Sequence, residues 1–264
     1  MTVRERSAGM KIHVLGSSGS EGPDRNPPAF LIDDFLLLDA GTVAVCLDTC
    51  AQCGISHILL THAHLDHIKG IPFLVDNVVL SDQGCRLKIV SGKEVIADLK
   101  RNIFNGRIWP DFTLLPYPDS PVMSYETISS RGFFMIDDYK IYATKVRHRV
   151  PTYGYMIIDP DGTAILYPGD TGPTERIWKR MRGHNVKALI VGVSFPDEMM
   201  DLALISGHLT PSLLEVELTK MQKPPEKIYV THIKPHYQMS VENQLSELDV
   251  PGIEILRDRM TLFI

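Results

Sequence analysis

Apolar and polar positions along this chain repeat with two distinct periods, and the switches between them outline its elements. A period of two marks strands, whose side chains face opposite sides in turn. Strand-like runs open at Lys11-Ile-His-Val-Leu15 and recur at Ile58-Leu-Leu60 and Ile228-Tyr-Val230. Over Tyr142–Val150 the alternation sets Val146, His148 and Val150 on an inward face and Lys145, Arg147 and Arg149 on a solvated one. Helical spacing appears in Ile68, Ile71, Val75 and Val78. It appears again in Val95, Ile96, Leu99 and Ile103, behind a capping box of Ser91 and Glu94, and in Leu214, Leu218 and Met221 behind Thr210-Pro211. Strands alternating with such helices predict α/β layers, sheets inside and helices outside.

Two echoes suggest an internal duplication. Phe30–Gly41 reads as a hairpin ending in an acid and a glycine, and Tyr155–Asp170 repeats that grammar. Ile58-Leu-Leu-Thr-His62 likewise resembles Ile228-Tyr-Val-Thr-His232. Two halves that each deliver polar residues from strand ends predict a site lying between the halves.

At 264 residues the chain suits one domain over 10–264. Residues 1–9 read as a flexible lead-in, with Met10 a natural start. Lys plus Arg number 27 against 32 Asp plus Glu, a net charge of −5 that gives no global pull toward RNA or membrane surfaces. A small anionic substrate remains compatible, because a metal site supplies positive charge locally. No apolar stretch is long enough to span a bilayer and the first residues lack the core of a signal peptide, so the expected compartment is the cytoplasm. There the four cysteines, with Cys46, Cys50 and Cys53 close together and Cys85 alone, are expected as small buried hydrophobes rather than ligands.

The chemistry concentrates in Thr61-His-Ala-His-Leu-Asp-His67, where His62, His64, Asp66 and His67 follow an apolar run directly. On the extended exit of a strand His62 and His64 share a face, and the helix-like spacing beyond puts Asp66 and His67 at a helix start. Donor pairs on both sides of a turn invite two metals. Imidazole and carboxylate suit zinc, manganese or iron. Further donors stand at other strand exits: His148, inward with the valines; Asp170, after a Pro-Gly turn, able to bridge two cations; and His232, ending the Ile228-Tyr-Val230 run. The bland readings are a core histidine at His148 and a turn acid at Asp170; the first cluster favours ligands.

With these residues in place the chain resembles the metallo-β-lactamase-fold hydrolases, whose architecture is a four-layer αββα sandwich. Leu15-Gly-Ser-Ser-Gly19, Arg25-Asn-Pro-Pro-Ala29 and Leu38-Asp-Ala-Gly41 look like that family's opening strands and loop. The resemblance implies two divalent ions, zinc foremost, with His62, His64 and His148 on one, Asp66, His67 and His232 on the other, and Asp170 bridging. Asp39 would steady the cluster without binding metal. Two metals roughly 3.5 to 4 Å apart acidify a bridging water into the hydroxide nucleophile and clamp the oxygens of an in-line displacement at phosphorus.

Within the family, Thr61–Gly70 looks like the signature of class II 3′,5′-cyclic-nucleotide phosphodiesterases, and Asn105–Phe112, Val150–Tyr155 and Ser206–Pro211 strengthen that likeness. It implies a small phosphodiester opened to the 5′-monophosphate, with Asp66 and His208 as catalytic residues. His208 either protonates the departing 3′ oxygen, hydrogen-bonds the phosphate as a neutral donor, or caps the helix it precedes. Tyr153, Trp109 and Ser18 are candidate substrate contacts; the bland reading of Trp109, with Phe104 and Phe112, is a pin holding a loop on the core. The neighbouring branch is ribonuclease Z. It is disfavoured by the missing acid near Gly192, the missing basic arm and the acidic net charge, so nucleic acid is not expected as a partner. Further alternatives are an iron-dependent redox or sulfur enzyme of the same fold, and a non-catalytic metal binder. Pairing into a homodimer, as relatives often do, is also expected.

Overall fold

The computed structural model describes residues 9–81 and 84–264. The expected lead-in over 1–9 lies, Gly9 apart, outside the described residues. Two seven-stranded sheets carry the fold. In spatial order the first holds Thr261–Phe263, Lys11–Gly16, Ala29–Ile32, Leu36–Leu38, His57–Leu59, Leu87–Gly92 and Met123–Ile128. The second holds Phe134–Ile136, Tyr139–Lys145, Tyr153–Ile158, Thr163–Tyr167, Asn185–Gly192, Lys227–Thr231 and Ile253–Ile255.

Read in that order, each sheet makes three antiparallel pairings followed by three parallel ones. The two hairpins picked out by sequence, Ala29–Ile32 with Leu36–Leu38 and Tyr153–Ile158 with Thr163–Tyr167, occupy the same slots. The second echo does not survive: His57–Leu59 sits in the fifth slot of its sheet and Lys227–Thr231 in the sixth. Local sequence likeness there reflects what a buried parallel strand needs before a polar exit, not an equivalent place in the fold.

Strand alternation explains how the layers separate. Along Tyr153–Ile158, Tyr153, Tyr155 and Ile157 enter the core between the sheets, while Met156 and Ile158 face the opposite way. Ile165 and Tyr167, then Ala188 and Ile190, continue the inner face; Leu166, Leu189 and Val191 continue the outer one. On that outer face lie Ile177 and Trp178 of Arg176–Arg180, Leu214 and Leu218 of Pro211–Thr219, and Val241 and Leu245 of Gln238–Glu247. Against the first sheet pack Leu74 and Val75 of Gly70–Val79 and Val95, Ile96 and Leu99 of Lys93–Asn102. The result is the helix–sheet–sheet–helix sandwich, with strand residues buried on both faces because both are covered. Among the described residues no helix is long and apolar enough to cross a membrane.

Three local expectations are corrected. The Lys93–Asn102 helix is capped by Gly92 without a side-chain bond. Ser91 is fully buried and turns its hydroxyl to the Leu60 carbonyl at 2.6 Å, while Glu94 is drawn outward to Lys145 and Tyr153. The strand before His148 ends at Lys145, so His148 rides an irregular exit, although the alternation of exposure continues through it. Cys53 and Cys85 are joined in a disulfide, leaving only Cys46 and Cys50 free; spacing along the chain cannot show that the fold brings those two Cα atoms to 5.5 Å. By contrast Thr210 caps Pro211–Thr219 as expected, its side chain accepting from the Leu213 N–H.

Candidate metal centre

Every donor singled out by sequence comes from an exit at one end of the sandwich. Past the His57–Leu59 strand the chain stays extended to His64, which precedes the short Leu65–Ile68 helix carrying Asp66 and His67. His62 and His64 therefore share a side: His62 Nε2 lies 3.0 Å from His64 Nδ1, and His148 Nε2 reaches the same atom at 3.3 Å. Asp170 follows the Thr163–Tyr167 strand through Gly169, which takes φ +64 and whose missing Cβ would lie 2.8 Å from Thr61 Cγ2. Only glycine admits that approach. Asp170 Oδ2 sits 3.8 Å from His62 Nε2, 3.4 Å from His67 Nε2 and 3.3 Å from His232 Nε2. His232 Nε2 is also 3.3 Å from Asp66 Oδ2 and 3.4 Å from His67 Nε2.

The seven donors thus gather into two groups, His62, His64, His148 with Asp170, and Asp66, His67, His232, and the Asp170 oxygen approaches both.

The outward nitrogens show whether these groups suit cations. Asp39, fully buried, accepts from the Thr61 N–H at 2.7 Å, the Thr61 hydroxyl, the Tyr167 hydroxyl at 2.7 Å and His67 Nδ1 at 2.7 Å. The other neighbours of the Asp39 side chain all donate to it, and His67, whose pKa it helps to raise, does the same through Nδ1. Because Thr61 spends its only hydroxyl proton on Asp39, His62 Nδ1 must donate to Thr61 Oγ1, 2.9 Å away. His148 Nδ1 donates to the Gly207 carbonyl at 2.9 Å. Each outer N–H is spent outward, so lone pairs on Nε2 of His62 and His148 converge with His64 Nδ1. Facing lone pairs at such distances call for a cation between them, and outer hydrogen bonds of this kind are how metal-binding imidazoles are oriented. The donor set fits two divalent ions.

Backbone geometry supports the same arrangement. Asp39 and His232 both take left-handed φ, +52 and +62, which costs a non-glycine residue energy that surrounding contacts must offset. His232 is held by its N–H to the Ser17 carbonyl at 2.7 Å. Gly207, at φ +77, ends the Met200–Ser206 helix and turns its carbonyl to His148.

Electrostatically the groups differ. Burial pushes His62, His64 and His148 below the ordinary histidine range, and the neighbouring imidazoles add to the shift at His62. Burial acts the same way on His67, but Asp170 and Asp39 outweigh it and raise that ring well above the usual value. Burial works to raise Asp170 and Asp66; His232 and His67 overcome it, holding both carboxylates ionised.

His208 stands beside the second group, Nδ1 3.8 Å from Asp170 Oδ2 and 3.2 Å from Ser194 Oγ. Burial lowers its pKa to about 3, with Asp170 opposing and His232 and His148 reinforcing, so the ring is neutral. The three candidate substrate contacts are engaged elsewhere. Tyr153 is buried and donates its hydroxyl to Glu94 at 3.0 Å. Trp109 packs edge-on against Phe73 and joins the core of the first sheet, the pin rather than the stacking platform. Ser18 is buried and points its hydroxyl at the Ile233 carbonyl, bracing the loop under His232.

Sequence reasoning missed Ser194 and Lys234. The Lys234 ammonium lies 3.9 Å from Asp66 Oδ2 and also donates to the Gly19 carbonyl. A hydroxyl two residues past an apolar strand end, as in both Leu59-Leu-Thr61 and Gly192-Val-Ser194, was the available signal for Ser194.

Comparison with known proteins agrees with this architecture. A family model described as the Beta-lactamase superfamily domain matches residues 46–233. The chain is 27% identical over 235 residues to a probable 3′,5′-cyclic-nucleotide phosphodiesterase of Yersinia pestis, a match spanning 76% of this chain and 65% of that protein, just under two thirds of its length. It is 24% identical over 286 residues to a ribonuclease Z of Archaeoglobus fulgidus, spanning 90% and 91%. The crystal structure of unliganded yeast PDE1 superposes with a TM-score of 0.83 at 18% identity, over 98% of this chain and 100% of that one. Sandwich, strand-exit donors and matched segment together place the chain in the β-lactamase superfamily: it belongs to that family, has the metallo-β-lactamase fold and is an enzyme of its metal-dependent hydrolase kind.

Proposed function

We propose that this enzyme hydrolyses 3′,5′-cyclic nucleotides to 5′-monophosphates at a two-metal centre. The observation that carries the reading is the approach of one Asp170 oxygen to donors of both groups, at 3.4 Å from His67 and 3.3 Å from His232 on one side and 3.8 Å from His62 on the other. His62, His64 and His148 would hold one ion, Asp66, His67 and His232 the other, with zinc the first choice for this donor set and manganese or iron accepted by it. When bound, two such ions lower the pKa of water between them and meet the charge of a phosphodiester. Asp39, Thr61 and the Gly207 carbonyl orient the ligand rings, Asp170 and Asp66 stay ionised, and neutral His208 donates an N–H hydrogen bond to the departing 3′ oxygen as charge builds on it, the proton that oxygen finally takes coming from solvent. The relative named a cyclic-nucleotide phosphodiesterase supports the substrate class.

A ribonuclease Z activity is the second reading, favoured by the archaeal relative that aligns along nearly all of both chains. Gly192 has no side chain where the resemblance to that branch implies an acid, a position also often acidic among class II phosphodiesterases. The net charge of −5 also offers little to a polyanion. Metal-reconstituted protein should turn over 3′,5′-cyclic AMP or cyclic GMP and an aryl phosphodiester, and leave a precursor tRNA intact. Cleavage of the tRNA alone would sink the cyclic-nucleotide reading.

A further inference from the structure

Ser194 lies two residues past the Asn185–Gly192 strand, as Thr61 lies two residues past His57–Leu59. Those strands fill the same slot of their respective sheets. Both hydroxyls touch Nδ1 of a candidate ligand ring at 2.9 Å, Thr61 at His62 and Ser194 at His232. They differ in where the hydroxyl proton goes. Thr61 gives its proton to the Asp39 carboxylate, whereas the other neighbour of Ser194 is His208 Nδ1 at 3.2 Å. Ser194 is fully buried and its backbone is pinned from both sides, its N–H to the Leu209 carbonyl at 3.0 Å and its carbonyl to the Lys234 N–H at 3.2 Å. The His208 and His232 rings flank it nearly parallel, 21° apart in plane and 5.3 Å between centroids.

With one proton on each ring, as a ligand His232 requires, the single Ser194 hydroxyl proton leaves two arrangements. If Ser194 donates to His232, the His232 proton sits on Nε2, the nitrogen facing Asp66 and Asp170, and that ring cannot take a cation there. If His232 binds through Nε2, its Nδ1–H donates to Ser194, Ser194 donates to His208 Nδ1, and the His208 proton lies on Nε2. We propose that Ser194 is a positioning residue that passes this choice across: filling the second metal pocket through His232 fixes His208 as the Nε2–H tautomer. The N–H that faces the departing oxygen is thereby set only in the loaded enzyme. This inference rests on the reading above in which His232 is a ligand and His208 serves the departing oxygen.

Nitrogen-15 NMR of the imidazoles, with and without zinc, tests it. In zinc-loaded protein His208 should show a protonated Nε2 and a bare Nδ1, and without zinc a mixture of tautomers. Ser194→Ala should restore the mixture in the presence of zinc, and Ser194→Thr, which keeps the hydroxyl, should not. The kinetic counterpart is a leaving-group split: Ser194→Ala should lower kcat on a cyclic nucleotide at least about tenfold more than on a nitrophenyl diester, whose leaving group needs no proton. A zinc-loaded wild type with the His208 proton on Nδ1, or tautomers indifferent to both zinc and Ser194→Ala, would overturn the relay. The wild-type spectra require no variant to fold. Failure to hydrolyse any diester would count against the proposed activity while the spectra still decide the role of Ser194.

Discussion

The two halves of the metal centre are built from nearly the same parts and reach opposite electrostatic states. In the first, three imidazoles crowd one another with Asp170 among them, and burial outweighs the nearby carboxylates and keeps the rings neutral and ready to bind. In the second, His67 lies between two carboxylates, Asp39 at 2.7 Å and Asp170 at 3.4 Å, which hold a proton on the ring where a cation would sit. Identical side chains thus need different work to accept a metal. One pocket is vacated of protons by desolvation; in the other a metal must displace one.

Asp170→Asn should erase the contrast altogether, because its oxygen serves both pockets. Turnover should fall by at least about a thousandfold, several kcal/mol at about 1.4 kcal/mol per tenfold, and metal analysis should find both ions depleted. A variant retaining two ions and full activity would remove the bridge from the centre. Asp39→Asn should widen the contrast instead. It touches His67 directly but His62 only through Thr61, so metal affinity should drop about 10- to 100-fold, most at the second pocket, as competition with a chelator would read. Equal losses at both pockets would show that Asp39 acts on the fold rather than on its neighbour ring. The mildest effect is that of pH. The His67 pKa is raised and those of His62, His64 and His148 are lowered, so on acidification toward the ordinary histidine value of about 6.5 the second pocket should lose its ion first. Calorimetry in buffers of different ionisation enthalpy should accordingly detect proton release with one of the two ions; release with neither would break the comparison.

Much of this was readable from the chain alone. The ligand set follows from a rule that one sequence displays, polar donors at the exits of apolar runs, and the two hairpins appear because alternation and turn residues are local properties. What stayed hidden depends on residues far apart in sequence. Ser91 looks like a helix cap until the Leu60 carbonyl, 31 positions away, claims its hydroxyl. His62 and His232 look like counterparts until strand order puts them in different slots. Tyr153 reads as a candidate substrate contact until Glu94, 59 positions away, claims its hydroxyl, and Trp109 packs edge-on against Phe73 as the pin its aromatic neighbours suggest. Ser194 shares with Thr61 only its place two residues past a strand end, and its meaning lies in which two rings flank it.

The Cys53–Cys85 link has a reach beyond its own neighbourhood. Its two ends, 32 positions apart, enclose all four donors of the His62–His67 segment, so in the oxidised chain that segment is a covalent ring. Tethering a loop of this length takes roughly 3–4 kcal/mol of freedom from the unfolded ensemble in the chain-entropy account. Sulfur oxidation state and the persistence of an assembled cation cradle are therefore joined quantities: a reducing milieu relaxes the ring, and an oxidising one keeps half of the cradle gathered before any ion arrives.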